Sequence, residues 1–290
     1  MRPVRPRRSA LYVPAINEKA IAKLPTLAAD VVIVDLEDSI APDDKERARA
    51  ALAPIFANRA RDGAEMVIRI NGLGGPWGAA DLEVAAACGP DAILLPKVDG
   101  PRDVLDVNDR LDELDAGPDL ALWAMIETPK GLLNIGATAA LGRDEAARLA
   151  CLVAGTNDLV KDTGVMMTPD RRYLQPWLMQ VVLGARAGGL DVLDGVSNDF
   201  RDLDAFALEC REGRAMGFDG KTLIHPAQIG PANAGFSPSD AETDAANAIV
   251  AAFALPENAG KGVISIEGRM VERLHLDQAR RLLARAGDPA

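Results

Sequence analysis

Apolar positions along this chain fall into short runs, each bounded by polar, glycine or proline residues. They cover residues 9–14, 31–36, 66–71, 92–98, 120–127, 149–155, 190–196 and 221–225. The run 120–127 is apolar on both faces, which predicts a strand buried on both sides, as in a parallel sheet. Pro129 cannot donate to a ladder, so that strand ends there and delivers Glu127 to the rim. Between the runs lie helix-like stretches. Asn17 suits an N-cap for a helix through Lys23, and Asp43 for a helix over 45–58. Pro101 suits a helix start before 104–114, and Asp202 opens 205–216. The runs recur about every thirty residues, the rhythm of eight βα units in a barrel. The pattern predicts an α/β fold, a (β/α)8 TIM barrel with a C-terminal helical lid. A doubly wound open sheet is the alternative.

The barrel pattern is complete near His225-Pro226. Residues 231–239 are rich in Gly, Pro, Ser and Asn and read as a linker. An apolar helix over 241–255, a short strand over 263–266, a turn at Gly268 and an amphipathic helix over 274–286 follow. This divides the chain into a catalytic barrel over 1–230 and a linker with lid over 231–290. The lid carries apolar residues at Ile249, Phe253, Leu274, Leu282 and Leu283. Their burial calls for the chain's own barrel or a neighbouring subunit.

Composition narrows the partners. The 290 residues are 48% hydrophobic and carry a net charge of -11. Length and hydrophobicity allow one large core. The acidity argues against nucleic acid or an anionic membrane. Arg2, Arg5, Arg7 and Arg8 make a small basic tail, read as a solvated end. With no leader-like or membrane-length apolar run, a cytoplasmic location is expected. Cys88, Cys151 and Cys210 fit no disulfide or zinc spacing and read as buried thiols. His225 and His275 are the only histidines, so a metal here would be held by oxygens, which favours magnesium.

Barrel enzymes place their chemistry at the C-terminal ends of the strands. Those ends here read Asp35-Leu36-Glu37-Asp38, Arg69-Ile70-Asn71, Pro96-Lys97, Glu127-Thr128-Pro129 and Gly155-Thr156-Asn157-Asp158. Singly, each has a plain explanation: Glu127 or Asp158 could cap the helix that follows. Together, several acids facing one arginine cost stability unless an ion or a substrate completes the arrangement. Glu127 and Asp158 come from neighbouring strands roughly 4.8 Å apart and can converge on one cation. Glu37 and Asp38 are better placed for the metal's waters. The turn at Gly155, Thr156 and Asn157 lets backbone N–H groups approach a substrate carboxylate. Arg69 offers fixed positive charge to a developing enolate oxygen.

Leu11-Tyr12-Val13-Pro14 with Asn17, Val34-Asp35-Leu36-Glu37-Asp38-Ser39, and Lys45 through Arg49 resemble the citrate lyase β-subunit family. So do Arg69-Ile70-Asn71, Leu95-Pro96-Lys97, Ile126-Glu127-Thr128-Pro129, Asp194-Gly195-Val196 with Asp199-Phe200, and Gly220-Lys221 with Ile224-His225-Pro226. This family belongs to the HpcH/HpaI aldolase/citrate lyase superfamily, with malyl-CoA and citramalyl-CoA lyases among its members. The resemblance implies a magnesium-dependent barrel that breaks or makes a C–C bond next to a thioester. By position, Glu127 and Asp158 resemble the metal ligands and Arg69 the residue that steadies the thioester enolate. Lys19 resembles a contact to the CoA phosphates, unless it is a plain surface lysine. The resemblance also implies a homotrimer or homohexamer whose lid covers an adjacent subunit's site.

Two departures from the family pattern matter. Asp38 stands where related pyruvate aldolases carry a histidine, which favours the acyl-thioester branch. In Gly268-Arg269-Met270-Val271-Glu272 the lid acid is Glu272, where the acyl-CoA lyases carry an aspartate. The leading expectation is a C–C lyase cleaving a 3-hydroxyacyl-CoA, such as malyl-CoA or citramalyl-CoA, into an acyl-CoA and a 2-oxo acid, with Glu272 protonating the enolate carbon. The alternatives are a citrate lyase β subunit acting on an acyl carrier protein, a malyl-CoA thioesterase on the same scaffold, and a barrel that binds a dicarboxylate without turnover.

Overall fold

The structure is a computed structural model that describes residues 5–57, 59 and 63–286. Eight strands form where the apolar runs predict them. These are β1 (Ser9–Pro14), β2 (Val31–Asp35), β3 (Glu65–Arg69), β4 (Ala92–Leu95), β5 (Ala121–Ile126), β6 (Leu149–Ala154), β7 (Asp191–Asp194) and β8 (Gly220–Leu223). They run parallel and close in chain order, with Ser9–Leu11 of β1 pairing Lys221–Leu223 of β8. Closure excludes the doubly wound alternative, which would leave two sheet edges. Several strands stop one to three residues before the apolar run does. The remaining residues turn out of the ladder and build the mouth.

Strand side chains alternate, so one parity points into the barrel. Ala10, Ile33, Val67, Leu94, Trp123, Met125, Cys151, Val153 and Leu193 pack together there. Two residues further along β1, β2, β3, β5 and β6 come Tyr12, Asp35, Arg69, Glu127 and Gly155. The mouth is therefore the upper end of the interior column, where apolar packing gives way to charge.

The caps at Asn17 and Asp202 form, each accepting from a backbone N–H three residues on, at Ala20 and Ala205. The helix begun by Pro101 runs to Glu113. Asp43 does not act as a cap. It lies inside a 3-10 turn (Pro42–Asp44), with the bend made by extended Ala41 and Pro42, and the α-helix follows at Lys45–Ala57. Asn58 and Arg2 lie outside the described residues. Arg8 is not a solvated tail residue: its Nε and Nη2 hold the two oxygens of Asp30, both at 2.8 Å. None of the three cysteines forms a disulfide among the described residues. Cys151 and Cys210 are buried, but Cys88 is only half-buried.

The predicted linker is largely a helix, Ile229–Phe236. Pro231 falls in its first turn, where backbone N–H groups have no helical partner and a missing one costs nothing. Only residues 237–239 separate it from the next helix, Asp240–Ala254, which Ser239 caps through Glu242 N. By contacts the chain forms one compact unit over Arg8–Gly235 and another in which the residues from Phe236 onward are joined by residues 5–7. The second unit contains Asp240–Ala254, a hairpin of β9 (Val263–Ile266) and β10 (Arg269–Glu272), and the helix Arg273–Ala286. Its turn uses Glu267 and Gly268, both at positive φ, as a tight two-residue hairpin requires. Several apolar residues expected to need an outside surface pack within the unit itself. Ile249 and Leu282 lie against a core of Ala246, Ala279 and Leu283, whereas Leu274 stays about half exposed. Among the described residues no helix is long and apolar enough to cross a membrane.

Outside the barrel wall, Asp194 and Lys221 are register partners on the outward parity. Lys221 Nζ donates to Asp194 at 2.8 Å and pairs with Glu209 at 2.6 Å, while Arg171 Nη1 lies 2.9 Å from both Asp194 oxygens. Burial alone would push the Asp194 carboxyl up, but Lys221 and Arg171 hold it below the ordinary carboxylate range. Breaking such a buried set strands charge without a partner. Asp194→Asn should cost about 3–5 kcal/mol in urea unfolding, with the m-value unchanged. A loss under about 1 kcal/mol, the range for exposed pairs, would show that the network does not carry this share of stability.

Candidate functional site

The site begins with a register. Asp35 and Arg69 end β2 and β3 as direct partners, both on the inward parity. The guanidinium grips the carboxylate with two bonds, Nε to Oδ1 at 2.6 Å and Nη2 to Oδ2 at 2.7 Å. Its Nη1 reaches Glu37 at 2.9 Å and lies 3.6 Å from Asp38. The Tyr12 ring packs against the guanidinium with its centroid 4.7 Å away. Burial would lower the Arg69 pKa, but Asp35 outweighs it, so the arginine stays charged. Asp35 is also held by the Ser39 hydroxyl at 2.5 Å.

Lys45 braces the loop after β2 from below. Its buried Nζ donates to the carbonyls of Leu36 and Glu37, both at 2.8 Å, and to Asn71 Oδ1 at 2.9 Å. Across the mouth, Lys97 takes a left-handed backbone, φ 50°. Its N–H donates to Glu127 Oε1 at 2.7 Å, and its Nζ donates to Glu37 Oε1 at 2.7 Å. Glu127 is 1% exposed. Burial, with Glu37 and Asp158 adding like charge, pushes its carboxyl up to about 7 despite the Lys97 N–H. A side chain at Gly155 would put a Cβ 2.6 Å from Glu127 Oε2. Glycine there makes room for the carboxylate.

Thr156, Asn157 and Asp158 form the first turn of the helix Thr156–Thr163. Asp158 is partly exposed, with Lys161 Nζ 3.9 Å away. The Thr156 hydroxyl is buried and has no partner among the described residues. Asn157 and Asn198 exchange two amide hydrogen bonds. A cavity of about 300 Å³ opens among Tyr12, Asp35, Asp38, Arg69, Glu127 and the 155–158 turn. Glu127 and Asp158 are oxygen donors whose charges repel, and Glu127 Oε2 accepts no hydrogen bond among the described residues. Such a pair fits a hard divalent cation. Among the described residues no third carboxylate, histidine or cysteine completes a metal-binding set with them.

The HpcH/HpaI aldolase/citrate lyase family profile matches residues 8–226, the barrel unit almost entire. The chain belongs to the HpcH/HpaI aldolase/citrate lyase family. It is 46% identical over 281 residues to a (3S)-malyl-CoA thioesterase of Cereibacter sphaeroides, covering 97% of this chain and 95% of the relative. It is 33% identical to the mitochondrial citramalyl-CoA lyase of Rattus norvegicus, covering 97% and 86%. A solved structure of CitE from Mycobacterium tuberculosis, in complex with magnesium, acetoacetate and coenzyme A, superposes with a TM-score of 0.74 at 30% identity, covering 97% and 98%. The chain is thus an enzyme from a family of CoA-ester lyases and thioesterases.

Of the family-like residues singled out in the sequence, Arg69, Glu127, Asp158, Gly155, Thr156, Asn157 and Asp38 meet around one cavity. Glu37 stands beside them, but both its oxygens are taken by Lys97, Arg69 and the Asp38 N–H. Lys19 is exposed on the helix Glu18–Lys23 and does not line the cavity. Glu272 ends β10 in the second compact unit, its N–H donating to His275 Nδ1 at 2.9 Å. Sequence reading gave no role to Asp35, Lys97 or Lys45. For Asp35 a signal existed: it shares its parity with Ile33 and directly precedes the acidic rim.

The Glu127 carboxyl, raised from 4.5 to about 7, keeps its proton more tightly in the folded state. Its contribution is fully present below pH 4.5 and is lost as pH rises toward 7, by about 3 kcal/mol. Glu127→Gln should flatten this fall and make the chelator-treated protein more stable than wild type at pH 8. Urea unfolding at pH 5 and pH 8 checks both. A variant whose stability keeps the wild-type pH slope would show that Glu127 does not carry it.

Proposed function

We propose that this enzyme hydrolyses the thioester of a malyl-CoA-type substrate, a CoA ester of a short 3-hydroxy dicarboxylic acid, with magnesium held by Glu127 and Asp158. The observation that carries the substrate class is the mouth itself. Two repelling carboxylates and a helix N-terminus lie on one side of the cavity, and a guanidinium fixed by Asp35 lies on the other. Hydrolysis takes precedence because the (3S)-malyl-CoA thioesterase shares 46% of its residues with this chain and the citramalyl-CoA lyase 33%.

Bound magnesium supplies a Lewis acid for the substrate's carboxylate and hydroxyl oxygens. The N–H groups at the start of the helix Thr156–Thr163 point toward a carboxylate, and the Thr156 hydroxyl is a spare donor beside them. Arg69 faces the thioester carbonyl and stabilises negative charge as it develops on that oxygen. Its bonds to Asp35 and Glu37 leave it no freedom to reorganise. Glu272, supplied by a second copy, takes the proton from the water as its oxygen adds to the thioester carbonyl carbon; the C–S bond then breaks, and the proton passes to the departing CoA sulfur. Lys19 meets the CoA phosphates. C–C cleavage is the second reading, favoured by Arg69 itself, because the same fixed charge suits a thioester enolate as well as a tetrahedral oxyanion. In that reading the substrate hydroxyl loses its proton, the C–C bond breaks, and Glu272 protonates the enolate carbon.

The purified protein, given malyl-CoA and magnesium, should release free CoA thiol and malate without glyoxylate, and a chelator should abolish turnover. Acetyl-CoA and glyoxylate as products would establish the second reading. No reaction with malyl-CoA would overturn the substrate class.

The role of Glu272 requires a homo-oligomer, a trimer or hexamer, in which one copy's C-terminal unit serves another's barrel. Arg69→Ala and Glu272→Gln should each be inactive alone. Co-expressed, they should recover part of the wild-type rate, since some sites then combine an intact barrel with an intact Glu272. No recovery with proven subunit mixing would rule out sharing between copies.

A further inference from the structure

Glu37 stands beside Glu127 and Asp158, the two acids proposed to hold the cation, but its oxygens already accept from other groups. Glu127 and Asp158 line the cavity, and Glu37 is close enough to raise the cost of charge on Glu127. Glu37 is nevertheless withheld. Its Oε1 accepts from Lys97 Nζ at 2.7 Å, and its Oε2 accepts from Arg69 Nη1 at 2.9 Å and the Asp38 N–H at 3.1 Å. Lys97 also controls Glu127 from its other end, through the backbone N–H on Oε1 at 2.7 Å. That bond leaves Oε2 as the free oxygen. Lys97 does both from a left-handed backbone, φ 50°, which a non-glycine residue seldom adopts.

We propose that Lys97 is a positioning residue that sorts the acids at the mouth, presenting Glu127 to the cation through one oxygen and keeping Glu37 off it. This rests on Glu127 and Asp158 as the magnesium ligands. Magnesium demands near-octahedral geometry with six oxygens. Two single-oxygen carboxylates leave positions for a bidentate substrate, whereas a third carboxylate would fill one of them. The enzyme thus holds its metal less tightly than its acids allow, and the substrate completes the shell.

Magnesium binding to the substrate-free protein, measured by isothermal calorimetry, tests this apart from activity. Lys97→Met removes the ammonium and keeps the backbone N–H. It should bind magnesium about tenfold more tightly, because a cation is lost and a carboxylate is freed. Turnover should fall in the same variant, with KM raised. Adding Glu37→Gln to Lys97→Met should return magnesium affinity to near wild type, which general damage to the mouth would not do. Lys97 is half-exposed, and a thermal melt confirms that each variant is folded. Unchanged or weaker magnesium binding by Lys97→Met, or no reversal in the double variant, overturns the role of Lys97. A wild-type protein that binds no magnesium would instead bring down the ligand assignment, and this inference with it.

Discussion

The grip of Arg69 on Asp35 is the contact from which the mouth of this barrel is built. It forms because two strand ends are register partners of the same inward parity. The pair is buried, so its bidentate geometry matters: a buried charge without a close partner costs several kcal/mol. With Asp35 taking Nε and Nη2, the remaining Nη1 can anchor Glu37, and Glu37 in turn anchors Lys97. Lys97 then reaches Glu127 through its backbone. A chain of polar contacts thereby links β2, β3, β4 and β5 around half the circumference.

Charge around that ring is unevenly compensated. Asp35 has Arg69, and Glu37 has Lys97 and Arg69. Glu127 has only a backbone N–H to hold it, and it pays for burial with a carboxyl that titrates near 7. A site tuned only for stability would carry a glutamine there. A buried carboxylate held this weakly supports the proposed role of Glu127 as a cation ligand. The contrast with Asp194 is informative. That carboxylate is equally buried, but Lys221 and Arg171 hold it below the ordinary range, and it serves the wall between β7, β8 and the helix Leu203–Met216.

The relatives of this chain include both a thioesterase and a C–C lyase. In each reaction negative charge develops on the thioester oxygen, which is the charge that the proposed function assigns to Arg69. The outcome then depends on which atom meets a proton donor or a water.

The sequence by itself determined the eight strands, their order, the acids and the arginine at their ends, and several helix caps. Each of these follows from local periodicity and from short-range side-chain bonds to the backbone. Parity along a strand is also local, so the inward column of Tyr12, Asp35, Arg69 and Glu127 was within reach. Two local cues misled, because composition does not report geometry. The Gly- and Pro-rich stretch near Pro231 is helical, and Asp43 lies within a turn. Tertiary structure decided which acid met which cation. Asp35 and Arg69 are 34 residues apart, and Lys97 and Glu37 are 60 apart. Their pairing depends on sheet register and barrel closure, which no local pattern encodes. The left-handed turn at Lys97 was decided in the same way, since its N–H is held by Glu127 and its Nζ by Glu37, both from other strand ends.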